Sequence, residues 1–405
     1  MEGISKSLDE IHFANNASYS SQGIQMHSSS QVIALDPDKK ELTVKTDHGE
    51  EKHDYDKLLL SPGGYAPKPP FEGIDLHNVD TFRGPEDTAA FKAGMADTKH
   101  LVVIGSGYIG IEVATAYAQA GIDVLVIDQQ ERVLPSYLCN PMAERLEKYL
   151  LDKGIRFKGN ETVKQLKGKV GSVSAVVTDQ GEYPADRVLV AVGVKPGTDW
   201  LKDILSMDDR GFILVDDFLQ TSAKDVYAGG DATYVPYAPT GKSASVALAT
   251  IARRQGIVAA LNAVGKQVKM PPVSGTSALK VFDYTLVSTG LSHSNLDTYD
   301  GVVESKYVEE RVYPDFMRKE GSVYMNILFD RETHVILGGQ LMSTFDVADS
   351  INVLSSLINA GYTLEQLALL DFFFQPNYDR PWHYLNVLAI EALGNTVGGA
   401  DKLLF

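Results

Sequence analysis

One cysteine, Cys139, is all the thiol that the 405 residues carry. An internal disulfide is excluded, as is a Cys-x-x-Cys redox pair, and such sparse usage suits a reducing, cytoplasmic compartment. Positive charge is also short: 37 Lys and Arg stand against 53 Asp and Glu, for a formal net charge of −16. Binding nucleic acid takes clustered Lys and Arg, so nucleic acid is excluded as a partner. No apolar run approaches the ~20 residues that span a bilayer, and the start, Met1-Glu2-Gly3-Ile4-Ser5, has no basic stretch followed by an apolar one. No membrane association is expected. The nine histidines lack ligand-like spacing, and no metal site is expected.

What remains is an ordinary globular composition, 44% hydrophobic and 22% charged. At roughly 100–200 residues per domain the length asks for two or three domains. From Gln31 to Ser61 the chain reads as a small antiparallel meander (QVIALD, ELTVKT, a polar connection) running into a buried strand, KLLLS. The Pro- and Gly-rich stretch Ser61–Pro70 marks a crossing between domains. A βαβ unit follows: HLVVIG, a helix of period 3.6 (YIGIEVATAYAQAG) and DVLVID. The helix MAERLEKYLLDKG, strands around SVSAVVTD and the apolar run RVLVAVGV complete this domain. A long helix is expected over SASVALATIARRQGIVAALNAVG. Beyond Pro271-Pro272, aromatic antiparallel-type strands and amphipathic helices predict a last, α+β domain.

The βαβ unit carries Gly105-Ser106-Gly107-Tyr108-Ile109-Gly110, a GxGxxG string that follows a strand and opens a helix. Asp128 ends the next strand, 23 positions beyond Gly105. In that context the string predicts a dinucleotide site. Gly105 permits the tight turn, Gly107 leaves room for the pyrophosphate, and Gly110 lets helix and strand pack closely. The phosphates then meet free N–H groups at the positive end of the helix. Asp128 can accept hydrogen bonds from ribose hydroxyls, whereas a 2′-phosphate beside it would be repelled by ~4 kcal/mol per unit charge at an effective dielectric near 20. NADH is expected, not NADPH. A structural glycine turn is the alternative, and Arg132 reads as a surface charge ahead of a phosphate ligand.

The strings GSGYIGIE, AVGVKPGTDWL, TSAKDVYAGGDAT, ALATIARRQG, VFDY followed by STG, and DFFFQPNYDRPW stand here in the order found in flavoprotein NADH peroxidases and NADH oxidases. The chain resembles that branch of the pyridine-nucleotide disulfide oxidoreductase superfamily from about Met1 to Ile390. The implied fold is α/β: a Rossmann-like NAD domain (67–210) inserted in a truncated FAD domain (1–66, returning over 211–270), with a C-terminal α+β dimerisation domain (271–405). The resemblance implies FAD and NADH as cofactors. It assigns Ser61, Pro62, Gly63, Gly64, Arg83, Asp231, Ala249 and Phe374 to FAD. Asp231 would accept from a ribityl hydroxyl, and the helix beginning near Ser245 would aim the Ala249 N–H at the flavin's pyrimidine edge. It adds Ile109, Tyr137, Gly193 and Ala247 to the NAD contacts, makes Tyr108 a gate that the nicotinamide displaces, and places Glu112 near the carboxamide. Plain packing for Tyr108, a solvated surface for Arg83 and Glu112, and core packing for Phe372-Phe373-Phe374 are the alternatives.

The family pattern begins with a further βαβ unit for the ADP half of FAD, a histidine and a redox cysteine. Met1-Glu2-Gly3 matches residues just after that cysteine, so about the first 45 positions of the pattern have no counterpart here. Cys139, inside the NAD domain, reads as a structural thiol. The expected activity is that of an NADH peroxidase, with the NADH oxidase as alternative and hydrogen peroxide or oxygen as oxidant, impaired by the missing cysteine. A non-catalytic NADH-binding remnant and a flavin reductase serving a separate protein are further alternatives, and a homo-oligomer, dimer or tetramer, is implied.

Overall fold

The computed structural model describes residues 15–395. The Met1-Glu2-Gly3 start and the far end of the last segment lie outside the described residues. A short helix, α1 (Asn16–Ser20), begins at Asn15, whose side chain accepts from the Ser18 N–H at 2.9 Å. The meander that follows has three strands: β1 (Gln31–Asp36), β2 (Glu41–Thr46) in the middle and β3 (Gly49–Asp54). β3 arises from GEEKHD, read above as part of a polar connection. An edge strand wet on both faces shows no apolar alternation, so only its ladder to β2 reveals it.

β4 (Leu58–Leu60) pairs in parallel with β15 (Val226–Ala228), and β5 (Gly64–Tyr65) pairs antiparallel with β14 (Lys195–Pro196). Segments before and after the central domain are thus hydrogen-bonded neighbours, and everything between is an insertion. Asp225, just ahead of β15, accepts from Lys40 at 2.6 Å and from Lys57; these hydrogen bonds draw its carboxyl down to about 2. β4 is less buried than its apolar text suggested: Leu60 joins Leu35, Val226 and Ala228 in a core, but Leu59 is 40% exposed. A strand with one face packed buries every second side chain.

The inserted domain holds a parallel sheet in the order β6 (Val79–Thr81), β13 (Arg187–Val190), β7 (His100–Ile104), β8 (Asp123–Ile127), β9 (Ile155–Lys158). Its middle strands are continuous apolar runs because both faces are covered. α2 (Pro85–Gly94), α3 (Tyr108–Gln119) and α4 (Asn140–Asp152) supply Phe91, Ile111, Tyr117, Met142 and Leu146 against Leu101, Val103, Val124 and Val126. On the other face a small antiparallel sheet, β10 (Val163–Lys169), β11 (Ser172–Thr178) and β12 (Glu182–Pro184), packs Leu166, Val173 and Val176 on Val102, Leu125 and Ile127. This is the expected α/β arrangement.

β16 (Val235–Pro236) and β17 (Ser243–Ala244) form a hairpin, and the helix expected from Ser243 begins only at α5 (Ala249–Ala263). The ladder to β16 overrides whatever helical preference SASVALA has, and Leu248 is still extended at φ −127°. The C-terminal sheet is antiparallel, in the order β18 (Ser277–Val281), β19 (Tyr284–Gly290), β22 (Ile336–Ser343), β21 (Ser322–Asp330), β20 (Val303–Arg311). α6 (Ala348–Ala360), α7 (Leu364–Ala368) and α8 (Tyr384–Ala392) bury Leu354, Leu367 and Leu388 with it. Leu279, Val281, Tyr284 and Leu286 of β18 and β19 belong to the same core as α3 and α4, so the last domain is anchored on the inserted domain. The reading of Phe372–Phe374 as core is corrected for two of the three rings. Phe372 packs into the core, while Phe373 and Phe374 are 67% and 47% exposed. The three fall in a turn-rich loop, where successive side chains cannot all face inward.

Candidate functional site

The β7–α3–β8 crossing shows what each glycine does. Gly105 has φ +105°, and a Cβ there would lie 2.3 Å from the Ala191 carbonyl oxygen. A Cβ on Gly110 would lie 2.1 Å from the Gly105 carbonyl oxygen. Both positions are closed by backbone. Gly107, at the start of α3, is different: a Cβ there would meet nothing within 4 Å. Backbone thus closes the turn at Gly105 and Gly110 and leaves it open at Gly107, where an anion would approach the first N–H groups of α3. Asp128 holds this turn, its Oδ2 accepting from the Ser106 N–H and hydroxyl at 2.6 and 2.7 Å and its Oδ1 from the Gln130 N–H at 2.9 Å. Ser106 escaped the motif reading because the string leaves that position free. Arg132 is a partly exposed charge paired with acidic side chains. It binds Glu144 at 2.6 Å and Glu147 at 3.1 Å on α4.

Tyr108 and Tyr137 come together as a stacked pair, centroids 3.7 Å apart and planes 17° apart. The Tyr108 hydroxyl meets Ser277 at 2.9 Å and Ser288 at 3.4 Å. Burial pushes this phenol up to about 12, against the opposing effect of the two serines, so it stays a neutral hydrogen-bonding group. Glu112, one turn on, is open to solvent along one side, yet the protein around it raises its carboxyl pKa. Ile109 is exposed beside the turn. Gly193, at φ +107°, stands in open space in the loop after β13, and Ala247 lies exposed in the extended segment ahead of α5.

On the β4–β15 side, Arg83 and Asp231 form an ion pair at 2.5 Å. Gly63, at φ +67°, has open space around it; Gly64 does not, since a Cβ would lie 2.7 Å from the Lys195 carbonyl oxygen, and the β5–β14 ladder alone explains that glycine. The Ser61 hydroxyl, ahead of Pro62, reaches the Gly229 carbonyl at 3.4 Å. Gln255 of α5 was not singled out in the sequence and organises the turn after β15. Its Oε1 accepts from the Gly230 N–H at 2.8 Å and its Nε2 donates to Thr233 Oγ1 at 2.9 Å. A polar residue on the face that also buries Ile251 and Val258 was the available signal. Ala249 is the first residue of α5, so the helix starts past the Ser243–Ser245 region where it was expected, and Phe374 sits in the C-terminal loop. A cleft of about 1030 Å³ opens beside β5 and β14. Its lining mixes Lys195 and Arg210 with Asp199 and Asp208, and includes none of the residues assigned to a cofactor.

Cys139 is buried at the start of α4, and burial pushes its thiol up to about 11, far from a reactive thiolate. A buried titratable pair lies in the last domain. Asp379 and His383 approach to 3.6 Å, yet burial moves both toward their neutral forms, Asp379 up to about 6 and His383 down to about 4. The pair is thus not an ion pair at neutral pH in the usual sense. His383 Nδ1 accepts from the Leu385 N–H at 3.1 Å, which leaves its proton on Nε2.

Residues 1–256 match the pyridine nucleotide-disulphide oxidoreductase family, and residues 276–384 match its dimerisation domain. The chain belongs to the pyridine nucleotide-disulphide oxidoreductases. An NADH oxidase from Enterococcus faecalis is 35% identical over 396 residues, covering 97% of this chain and 89% of that protein. An NAD(P)H coenzyme A polysulfide/persulfide reductase from Pyrococcus horikoshii is 30% identical, over 96% of this chain and 87% of that one. A water-forming NADH oxidase from Lactobacillus brevis, solved with NADH bound, superposes with a TM-score of 0.93 at 35% identity, over 97% of this chain and 88% of that one. Membership makes the protein an oxidoreductase that uses FAD and a pyridine nucleotide. The residues present fit those groups: an open cradle at Gly107 for the nucleotide, and, for the flavin side, open space at Gly63 and the paired Arg83 and Asp231.

Proposed function

We propose that this oxidoreductase is of the NADH oxidase type, taking hydride from NADH and delivering the electrons to oxygen. The observation that carries the reading is the opening at Gly107 in a turn otherwise closed by backbone. There the first N–H groups of α3 receive the pyrophosphate, while Asp128, oriented by Ser106 and Gln130, accepts from the ribose hydroxyls and repels a 2′-phosphate. Bound FAD would supply the hydride-accepting and electron-releasing chemistry, which side chains alone do not. The chain's part on that side is to orient it: Asp231 toward the ribityl hydroxyls, Arg83 holding Asp231, and the positive end of α5 at Ala249 toward the pyrimidine edge.

Oxygen is preferred to peroxide because the relatives described above carry oxidase and sulfur-reductase names, whereas the peroxidase expectation rested on the wording of two short strings. Two-electron reduction balances as NADH + H⁺ + O₂ giving NAD⁺ and H₂O₂. Cys139 is too deep to take part, so added peroxide should not speed NADH consumption by the 405 residues. The domain limits 67–210 and 271–405 belong to this proposal. So does a homo-oligomer, supported by the match to a dimerisation domain and the exposed Phe373 and Phe374 within it.

The test is the visible absorption spectrum of the protein purified with FAD and freed of excess. A stoichiometric flavin band that bleaches with NADH and returns in air is expected. No retained flavin would refute the flavoenzyme reading for these residues and leave an NADH-binding protein.

A further inference from the structure

We propose that Ser277 and Ser288 are positioning residues, whose hydroxyls latch Tyr108 onto Tyr137 so that the C-terminal sheet controls entry of the nicotinamide dinucleotide. The proposal rests on the NADH reading above. With centroids 3.7 Å apart the two rings are in van der Waals contact, and nothing passes between them. Both are tied to the glycine turn. Tyr108 opens α3 directly after Gly107, and Tyr137 donates its N–H to the Leu134 carbonyl, while the Leu134 N–H is bound to the Ser106 carbonyl at 3.1 Å. The closed pair therefore flanks the cradle at Gly107, and a dinucleotide that enters between the two rings must part them.

What holds the pair closed comes from another domain. Ser277 and Ser288 face each other across β18 and β19, with their hydroxyls 3.2 Å apart. The Tyr108 hydroxyl completes a triangle at 2.9 and 3.4 Å. Each hydroxyl can donate once and accept twice, so all three can be satisfied in a ring whose members strengthen one another. The arrangement is backed by the core that β18 and β19 share with α3. A shift of the last domain against α3 is thereby transmitted to the Tyr108 hydroxyl, and Tyr108 cannot swing without breaking the triangle.

A latch that favours the closed pair competes with the ligand, so removing it tightens binding. A role in holding the domains together would leave the ligand constant alone or weaken it. NADH is titrated by fluorescence, anaerobically, into the full chain as purified, any flavin reduced beforehand with dithionite, and into its Ser277→Ala/Ser288→Ala, Tyr108→Phe, combined and Ser277→Thr variants. The double serine variant and Tyr108→Phe should each bind NADH about three- to tenfold more tightly than the parent. The combined variant should bind no more tightly than either, because all remove one interaction, and Ser277→Thr should recover the parent constant. Tyr108→Phe leaves both strands intact and keeps the ring, which separates the latch from any damage to the sheet. Unchanged or weaker binding in both sets, or additive gains, would overturn the latch. A parent chain that does not bind NADH would instead overturn the cofactor reading, and the latch with it.

Discussion

Gly107→Ala and Gly110→Ala add the same methyl group to the same crossing, three residues apart, and should act on different properties. At Gly110 the new Cβ falls 2.1 Å from the Gly105 carbonyl oxygen and 3.2 Å from Val103 Cγ1. The nearer atom is backbone, so α3 must back away from the turn, at an overpacking cost of about 1–3 kcal/mol. Alanine's better helix propensity offsets up to about 1 kcal/mol of that. Because the clash is with backbone, the cost lies near the upper end of that range, and the net loss of about 2 kcal/mol should lower the unfolding midpoint by roughly 2–4 °C. At Gly107 the backbone is extended, at φ −72° and ψ −176°, which any L residue adopts, and the methyl meets no protein atom. Stability should stay within about 0.5 kcal/mol of the parent. The methyl instead occupies the approach to the α3 N–H groups. Losing one charge-assisted hydrogen bond there, worth about 1.5–3 kcal/mol, should weaken NADH roughly 10- to 100-fold. Thermal unfolding and an NADH titration of both variants decide the matter. Parent-like NADH affinity in Gly107→Ala, or a parent-like midpoint in Gly110→Ala, would refute the roles argued for these glycines.

Asp379 is 2% exposed and its raised pKa means that the folded state keeps a proton the unfolded chain loses, so its contribution to stability falls as pH rises from about 4 to about 6. His383 has the opposite sign: its lowered pKa means stability falls as pH drops from about 6.5 to about 4. Each effect is on the order of 3 kcal/mol at most, and in the parent they largely cancel. Asp379→Asn should therefore be the more stable protein at pH 8 and lose that advantage on acidification to pH 4.5; midpoints that track the parent at both pH values would count against the buried pair as described. Arg83→Ala should leave the unfolding midpoint nearly unchanged, since the arginine is 41% exposed and such pairs are worth less than about 1 kcal/mol, but should reduce retained flavin; an unaltered flavin content would remove Arg83 from the cofactor side. Cys139 should resist an alkylating reagent at pH 8 until denaturant is added, and rapid labelling of the native chain would contradict its burial.

The sequence by itself determined the elements whose character is local. The β7–α3–β8 unit was legible because its apolar periods and glycine spacing are short-range properties, and Gly105, Gly107, Gly110 and Asp128 all fall on that one crossing. It also showed that the chain has one thiol, within the NAD domain. Only the tertiary structure decided matters that depend on a partner far along the chain. β3 exists through its ladder to β2, and α5 starts late because β17 pairs with β16. Arg83 reaches Asp231, and Gln255 reaches the Gly230 turn, only once β4 lies beside β15. The contact of Tyr108 with Ser277 and Ser288 depends on how the last sheet packs on α3. Periodicity says which face of an element is apolar but not which other element will cover it, and side-chain hydroxyls carry no periodic signal at all. That is why the cradle could be read from the residues, and the groups that hold and close it could not.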